Sequence, residues 1–155
     1  MTPRPVSVSI DVPQPRADVY AYLDVMANHE PYTDHMLTDW EYSGPASGVG
    51  SKARVVSSFG ALKDTADIEV VAATAPGMII ERNVSAKGRR VATGTYTLDE
   101  LPAGGGTRVT FTYAWEQAPL PDRVLAPVVR SLLKRGNATA MERLRDRLAQ
   151  QVAVR

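Results

Sequence analysis

The stretch Asp122 to Val152, DRVLAPVVRSLLKRGNATAMERLRDRLAQQV, decides the architecture. Leu125, Val129, Leu132 and Leu133 fall on one face at helical spacing in its first half, and Met141, Leu144 and Leu148 carry the stripe through its second. About thirty residues at about 1.5 Å each predict an amphipathic rod roughly 45 Å long. Pro127 sits near enough to its start to mark a kink or a delayed first turn. Gly136 lies mid-helix, where glycine costs up to about 1 kcal/mol relative to alanine. Close approach of a strand or ligand would account for it, as would drift at an exposed site.

The rod must bury its stripe, and the chain before it supplies a sheet. Val6 to Val12 alternates Val8, Ile10 and Val12 against Ser7, Ser9 and Asp11, the period of a half-buried strand. Pro13 and Pro15 end it, and Pro15 suits the first turn of a helix running to Leu23, with Val19, Tyr22 and Leu23 on its apolar face. Asn28 is placed to cap a second short helical turn through Thr33. Strands then follow at Leu37–Tyr42, Ser51–Phe59, Lys63–Ala73, Met78–Ser85, Arg90–Leu98 and Thr107–Glu116. They are separated by Gly44-Pro45 with Gly48–Gly50, Gly60, Pro76-Gly77, Lys87-Gly88 and the Pro102–Gly106 loop. Short turns between successive strands predict an antiparallel meander. One rod and two short helices cannot fill the hollow of a seven-stranded sheet, so a cavity suited to an apolar molecule is expected.

Composition narrows the function classes. The 155 residues fit one domain, 1–155, with 44% hydrophobic content. Eighteen basic against seventeen acidic residues leave a formal charge of +1, which argues against a nucleic-acid partner. The chain has no cysteine, hence no disulfide framework or thiolate chemistry. Met1 to Pro5 lacks a signal-peptide apolar region and no run is long enough for a transmembrane segment, so a cytoplasmic setting is expected. A homodimer is left open.

Several stretches resemble the polyketide cyclase/dehydrase and lipid-transport superfamily, the START-like, Bet v 1-like or SRPBCC proteins. They are Ser9-Ile10-Asp11-Val12-Pro13-Gln14-Pro15 leading into Asp18-Val19-Tyr20-Ala21-Tyr22-Leu23; Gly48-Val49-Gly50 before a strand; Gly94-Thr95-Tyr96-Thr97-Leu98; and Gly106-Thr107-Arg108-Val109-Thr110-Phe111 before the last helix. The similarity spans about residues 6 to 150, and the order and spacing of the motifs are specific for fold rather than activity. It implies an α+β helix-grip fold, a curved antiparallel sheet wrapped around the long C-terminal helix with two short helices after the first strand. It also implies a hydrophobic ligand and no cofactor.

Strand alternation nominates the cavity lining: Phe59, Ile68, Val70, Ile80, Tyr96, Phe111, Tyr113 and Trp115, with Asn137 and Met141 from the helix. Core packing is the competing reading of each. His35, beside Asp34, is the natural acid–base candidate, set against an ordinary surface histidine, whereas His29 reads as exposed. With Ile80 inward, Arg82 also turns inward and Glu81 outward, and a slip of one residue reverses this. An inward Arg82 would orient a carboxylate, phenolate or developing enolate. His35, Arg82 and Tyr96 are thus the catalytic candidates. Tyr20, Tyr22, Tyr32 and Tyr42 are further donors at the mouth.

The histidine spacing fits no familiar zinc motif, so no metal is expected. Gly48-Val49-Gly50 lacks the lysine and helix of a phosphate loop. The arginines at 143, 145 and 147 read as a solvated helix face. Three functions are compatible: a cofactor-free polyketide cyclase, aromatase or dehydratase-like enzyme; a carrier or sensor of a lipid or hydrophobic metabolite; and a protein-interaction module. A cavity without an inward charged side chain would favour the carrier.

Overall fold

A computed structural model describes residues 1–59 and 62–154, with side chains for all of these except Phe59 and 152–154. Gly60, read as a turn, and the Phe59 side chain, read as cavity lining, lie outside the described residues. The elements are β1 (Val6–Val12), α1 (Arg16–Leu23), a 3-10 turn (Met26–His29), α2 (Glu30–Thr33), β2 (Leu37–Ser43), β3 (Lys52–Phe59), β4 (Leu62–Thr74), β5 (Met78–Ser85), β6 (Arg90–Glu100), β7 (Thr107–Gln117), α3 (Leu120–Val124) and α4 (Ala126–Val154). All strand pairs are antiparallel, in the order β1-β7-β6-β5-β4-β3-β2. This is the helix-grip arrangement: a seven-stranded curved sheet, a long C-terminal helix and short helices after the first strand.

Curvature comes from irregular pairing. The ladders slip between Thr38 and Glu41 in β2, Val70 and Ala72 in β4, and Trp115 and Gln117 in β7. An unpaired residue bends its strand and increases the twist. The concave face lies toward α4. Val12, Val19, Leu23, Leu98, Val109, Leu144 and Leu148 are buried in the main core, so the C-terminal half of α4 and α1 plug one end of the hollow. The N-terminal half of α4 covers the rest less completely, with Leu133 packed against Val6 and Trp115 in a second small cluster.

Local details differ from expectation in three places. Pro15 precedes α1 instead of lying in its first turn. Asn28 caps nothing; its Nδ2 donates to the Tyr22 carbonyl at 2.9 Å and ties the 3-10 turn back to α1. The last helix begins early, at Leu120, breaks at Leu125 (φ −103°, ψ 27°) and restarts at Ala126. Leu125 and Leu132 are exposed rather than packed in the core. Gly136 is explained by close approach: a Cβ there would lie 2.5 Å from the Met36 sulfur. His35 Nε2 donates to the Gly136 carbonyl at 2.9 Å, so the segment after α2 is pinned to α4 at this point.

Candidate functional site

The space left under the N-terminal half of α4 is a cavity of about 470 Å³. Its floor is built by cross-strand neighbours, which share a face of the sheet. Tyr96 pairs with Phe111, Gly94 with Tyr113 and Ala92 with Trp115. Gly94 leaves room for a ring: a Cβ there would come within 2.9 Å of Phe111 and 3.4 Å of Asn83 Nδ2. Ile68 and Asn83, themselves a pair, extend the floor toward β4. Leu133, Asn137, Ala140 and Met141 form the roof. Exposed apolar residues, Leu62, Leu125, Val128 and Leu132, rim the opening. At that opening Arg90 donates to both oxygens of Asp122 at 2.6 and 2.7 Å, and Trp115 Nε1 donates to Asp122 Oδ2 at 3.1 Å. This cluster ties α3 to the sheet.

The face of β5 is the main reversal. Ile80 and Arg82, expected inside, lie on the outer side, and Arg82 approaches Glu116 at 4.0 Å with its side chain half exposed. Ile79, Glu81 and Asn83 point inward instead, with Glu81 only 5% exposed. The cause is the β4 irregularity. Near the turn Thr74 pairs with Met78 and Ala72 with Ile80; carried on without a break, that register would set Val70 opposite Arg82. Val71 is instead left unpaired, so Val70 meets Glu81 and Ile68 meets Asn83. One extra residue in β4 exchanges which face of β5 accompanies the buried Ile68 and Val70.

His29, read as exposed, is 3% exposed and lines the cavity. Its Nε2 lies 2.7 Å from the Leu23 carbonyl oxygen, which can only accept, so Nε2 carries the proton. Its Nδ1 lone pair then faces Glu81 Oε2 at 3.5 Å. Burial pushes the Glu81 carboxyl up to about 8. Burial pushes the His29 imidazole down to about 4, with the Leu23 hydrogen bond opposing. Both effects favour the uncharged pair over an ion pair in this dry setting. The Tyr32 and Tyr96 hydroxyls are hydrogen-bonded at 2.8 Å. Their rings flank His29, each with its centroid 5.6 Å away. Burial raises both phenols well above their ordinary range.

The structure therefore brings Ile68, Tyr96, Phe111, Tyr113, Trp115, Asn137 and Met141 together around one cavity. Val70 is buried in the core without lining it. His35 is half-buried against α4, outside the lining. Of the three catalytic candidates only Tyr96 reaches the cavity. His29 and Glu81 were missed as site residues. The available signal for Glu81 was its alternation with Ile79 in the Met78–Ser85 run, readable only with the register known. No group of three or more metal-ligating side chains occurs among the described residues, and no helix there is long and apolar enough to cross a membrane.

An apolar cavity with one polar end, roofed by the gripping helix, has the form of a small-molecule site. The family model described as polyketide cyclase/dehydrase and lipid transport matches residues 4–149, and the chain belongs to that family. Among solved structures it is similar to TTHA0849 from Thermus thermophilus (22% identity, 95% of this chain and 98% of that one, TM-score 0.71). It is also similar to the KanY protein, ms6282 (16% identity, 96% and 99%, TM-score 0.73). A third is DynU16 from the dynemicin biosynthetic locus (21% identity, TM-score 0.65), where the match covers 94% of this chain and 47% of that one. At these identities the likeness is one of fold. No curated protein matches the sequence.

Proposed function

We propose that this chain binds a hydrophobic small molecule in the cavity beneath α4 and acts on it as a polyketide cyclase/dehydrase-like enzyme. The observation that carries the reading is the cavity of about 470 Å³, aromatic-walled, with Tyr96, Tyr32, Glu81 and His29 gathered inside it. That volume lies within the ordinary range of small-molecule sites, about 300–1,000 Å³. Family membership supports the ligand class, and DynU16's place in a biosynthetic locus supports small-molecule chemistry. The family description also covers lipid transport, which a non-catalytic carrier would satisfy. A carrier gains nothing from a buried ionisable carboxyl, whose desolvation is costly. Glu81 therefore favours chemistry over carriage. Of the original catalytic candidates, the proposal retains Tyr96.

Titration with Nile red tests occupancy. Saturable binding of one dye per chain is expected. Ala140→Trp, which places an indole in the roof, should abolish it while the circular dichroism spectrum stays unchanged. Equal binding by a folded A140W protein would show that the dye sits elsewhere and would remove the support for a cavity ligand.

A further inference from the structure

Leu62, Leu120, Val124, Leu125, Val128 and Leu132 are large apolar side chains exposed by 42 to 76%, and they belong to one end of the molecule. Four of them rim the opening of the cavity, and Leu120 and Val124 stand on α3 beside Leu125. Arg90 joins the elements of this end into one platform: it pairs with Asp122 of α3 at 2.6 Å and with Asp64 of β4 at 3.6 Å, and Asp64 also accepts the Ala86 N–H at 2.6 Å from the β5–β6 turn. A contiguous apolar patch left in water at a built platform marks a contact surface. Its charge says what it contacts. Segments 62–64, 86–90 and 120–135 carry eight basic and two acidic residues, and the rest of the chain carries ten basic and fifteen acidic. Both acids, Asp64 and Asp122, are held by Arg90. Lys63, Lys87, Arg123 and Arg135 are exposed and meet no carboxylate among the described residues. Arg135 follows Val128 and Leu132 on the same helix face, at spacings of seven and three. Arg130 turns away, to the Arg4 and Pro5 carbonyls.

We propose that this end of the molecule docks on an anionic lipid bilayer, its leucine and valine side chains entering the boundary between headgroups and acyl chains and its free cations lying at the phosphate level. The surface lies outside the cavity and its docking does not depend on what the cavity holds. Charge complementarity selects the occupant. Two copies joined through this patch about a two-fold axis would press like charge on like charge. Protein interfaces are anchored by aromatic residues and arginine seated in pockets. Here the protruding side chains are all aliphatic and stand on separate projections around an opening. Aliphatic tips flanked by lysine and arginine suit an interface where apolar groups sink a few ångströms and cations stay with the headgroups. An anionic surface also attracts the basic end and repels the acidic remainder, which fixes the orientation. Docked in that way, the opening rimmed by Leu62, Leu125, Val128 and Leu132 faces the membrane.

The test is co-sedimentation of the full chain with vesicles of phosphatidylcholine alone and of phosphatidylcholine with about 30% phosphatidylserine. Binding to the anionic vesicles about tenfold or more above the neutral ones is expected, weakened at least about tenfold between about 0.05 and about 0.5 M salt. The double variant Leu120→Ser with Val124→Ser should lose about tenfold or more, and Lys87→Glu with Arg123→Glu about 20-fold or more. None of these four side chains lines the cavity, so both variants should keep the wild-type circular dichroism spectrum and bind Nile red in lipid-free buffer as wild type does. Equal binding to both vesicle types, or docking that survives in both variants, overturns the proposal. Capture by polyglutamate without capture by anionic vesicles assigns the face to an acidic protein, and a dimer in analytical ultracentrifugation that L120S/V124S abolishes assigns it to a second copy; either overturns the lipid occupant. Nile red binding without vesicle docking overturns the docking surface and leaves the cavity reading intact; docking by a protein that binds no Nile red does the reverse.

Discussion

Folding stability should fall by about 2 kcal/mol between pH 6.5 and 8, and Glu81→Gln should abolish that fall. Glu81 is raised from 4.5 to about 8 on folding. A raised group contributes stability that is fully present below its unfolded value and is lost as pH rises through its folded value. The loss therefore accumulates from pH 4.5 to about 8. His29 is lowered from 6.5 to about 4, so its contribution is present above 6.5 and is lost as pH falls toward 4. Between pH 4.5 and 6.5 the two slopes have opposite sign and cancel. Above 6.5 only the Glu81 slope remains, about 1.4 kcal/mol per pH unit over about 1.5 units. The assay is urea denaturation at half-unit steps from about pH 5 to 9, comparing midpoints at constant m. In E81Q the profile should be flat above 6.5 and fall below it through His29 alone. A wild-type profile flat from 6.5 to 8, or a fall of equal size in E81Q, refutes the burial of an ionisable Glu81.

Two further outcomes follow from the same geometry. Tyr32→Phe and Tyr96→Phe should each cost about 1–3 kcal/mol by stranding a buried hydroxyl, while the double variant should cost less than their sum; additive losses in thermal unfolding would mean the 2.8 Å bond is not formed. Asp122→Asn neutralises the nearer of the two carboxylates paired with Arg90, leaving Asp64 at 3.6 Å, and weakens the acceptor of Trp115 Nε1; about 2 kcal/mol of stability should be lost, below the range for fully buried pairs because Arg90 is partly exposed, with a shift in tryptophan emission. Unchanged emission and stability would show that this cluster does not tie α3 to the sheet.

The sequence by itself determined the architecture. Period-two alternation in Val6–Val12 and Thr107–Glu116 and a helical stripe from Leu133 through Met141 and Leu144 to Leu148 are local signals, each set by which residues must leave water, and they add up to a sheet with one long cover. The same reasoning nominated Tyr96, Phe111, Tyr113 and Trp115, whose faces follow from an uninterrupted β6–β7 ladder over that span. Tertiary structure alone decided the polar end of the cavity. An unpaired Val71 moves Glu81 inward and Arg82 outward, and nothing in the local pattern marks it because Val70, Val71, Ala72 and Ala73 are all apolar. His29 is buried because α2 and the 3-10 turn fold onto β5 and β6, a contact between segments more than fifty residues apart in the chain. Alternation reports which side a strand turns to its neighbours only while the register holds; where one residue is added, the ladder partner, and not the strand's own sequence, chooses the face.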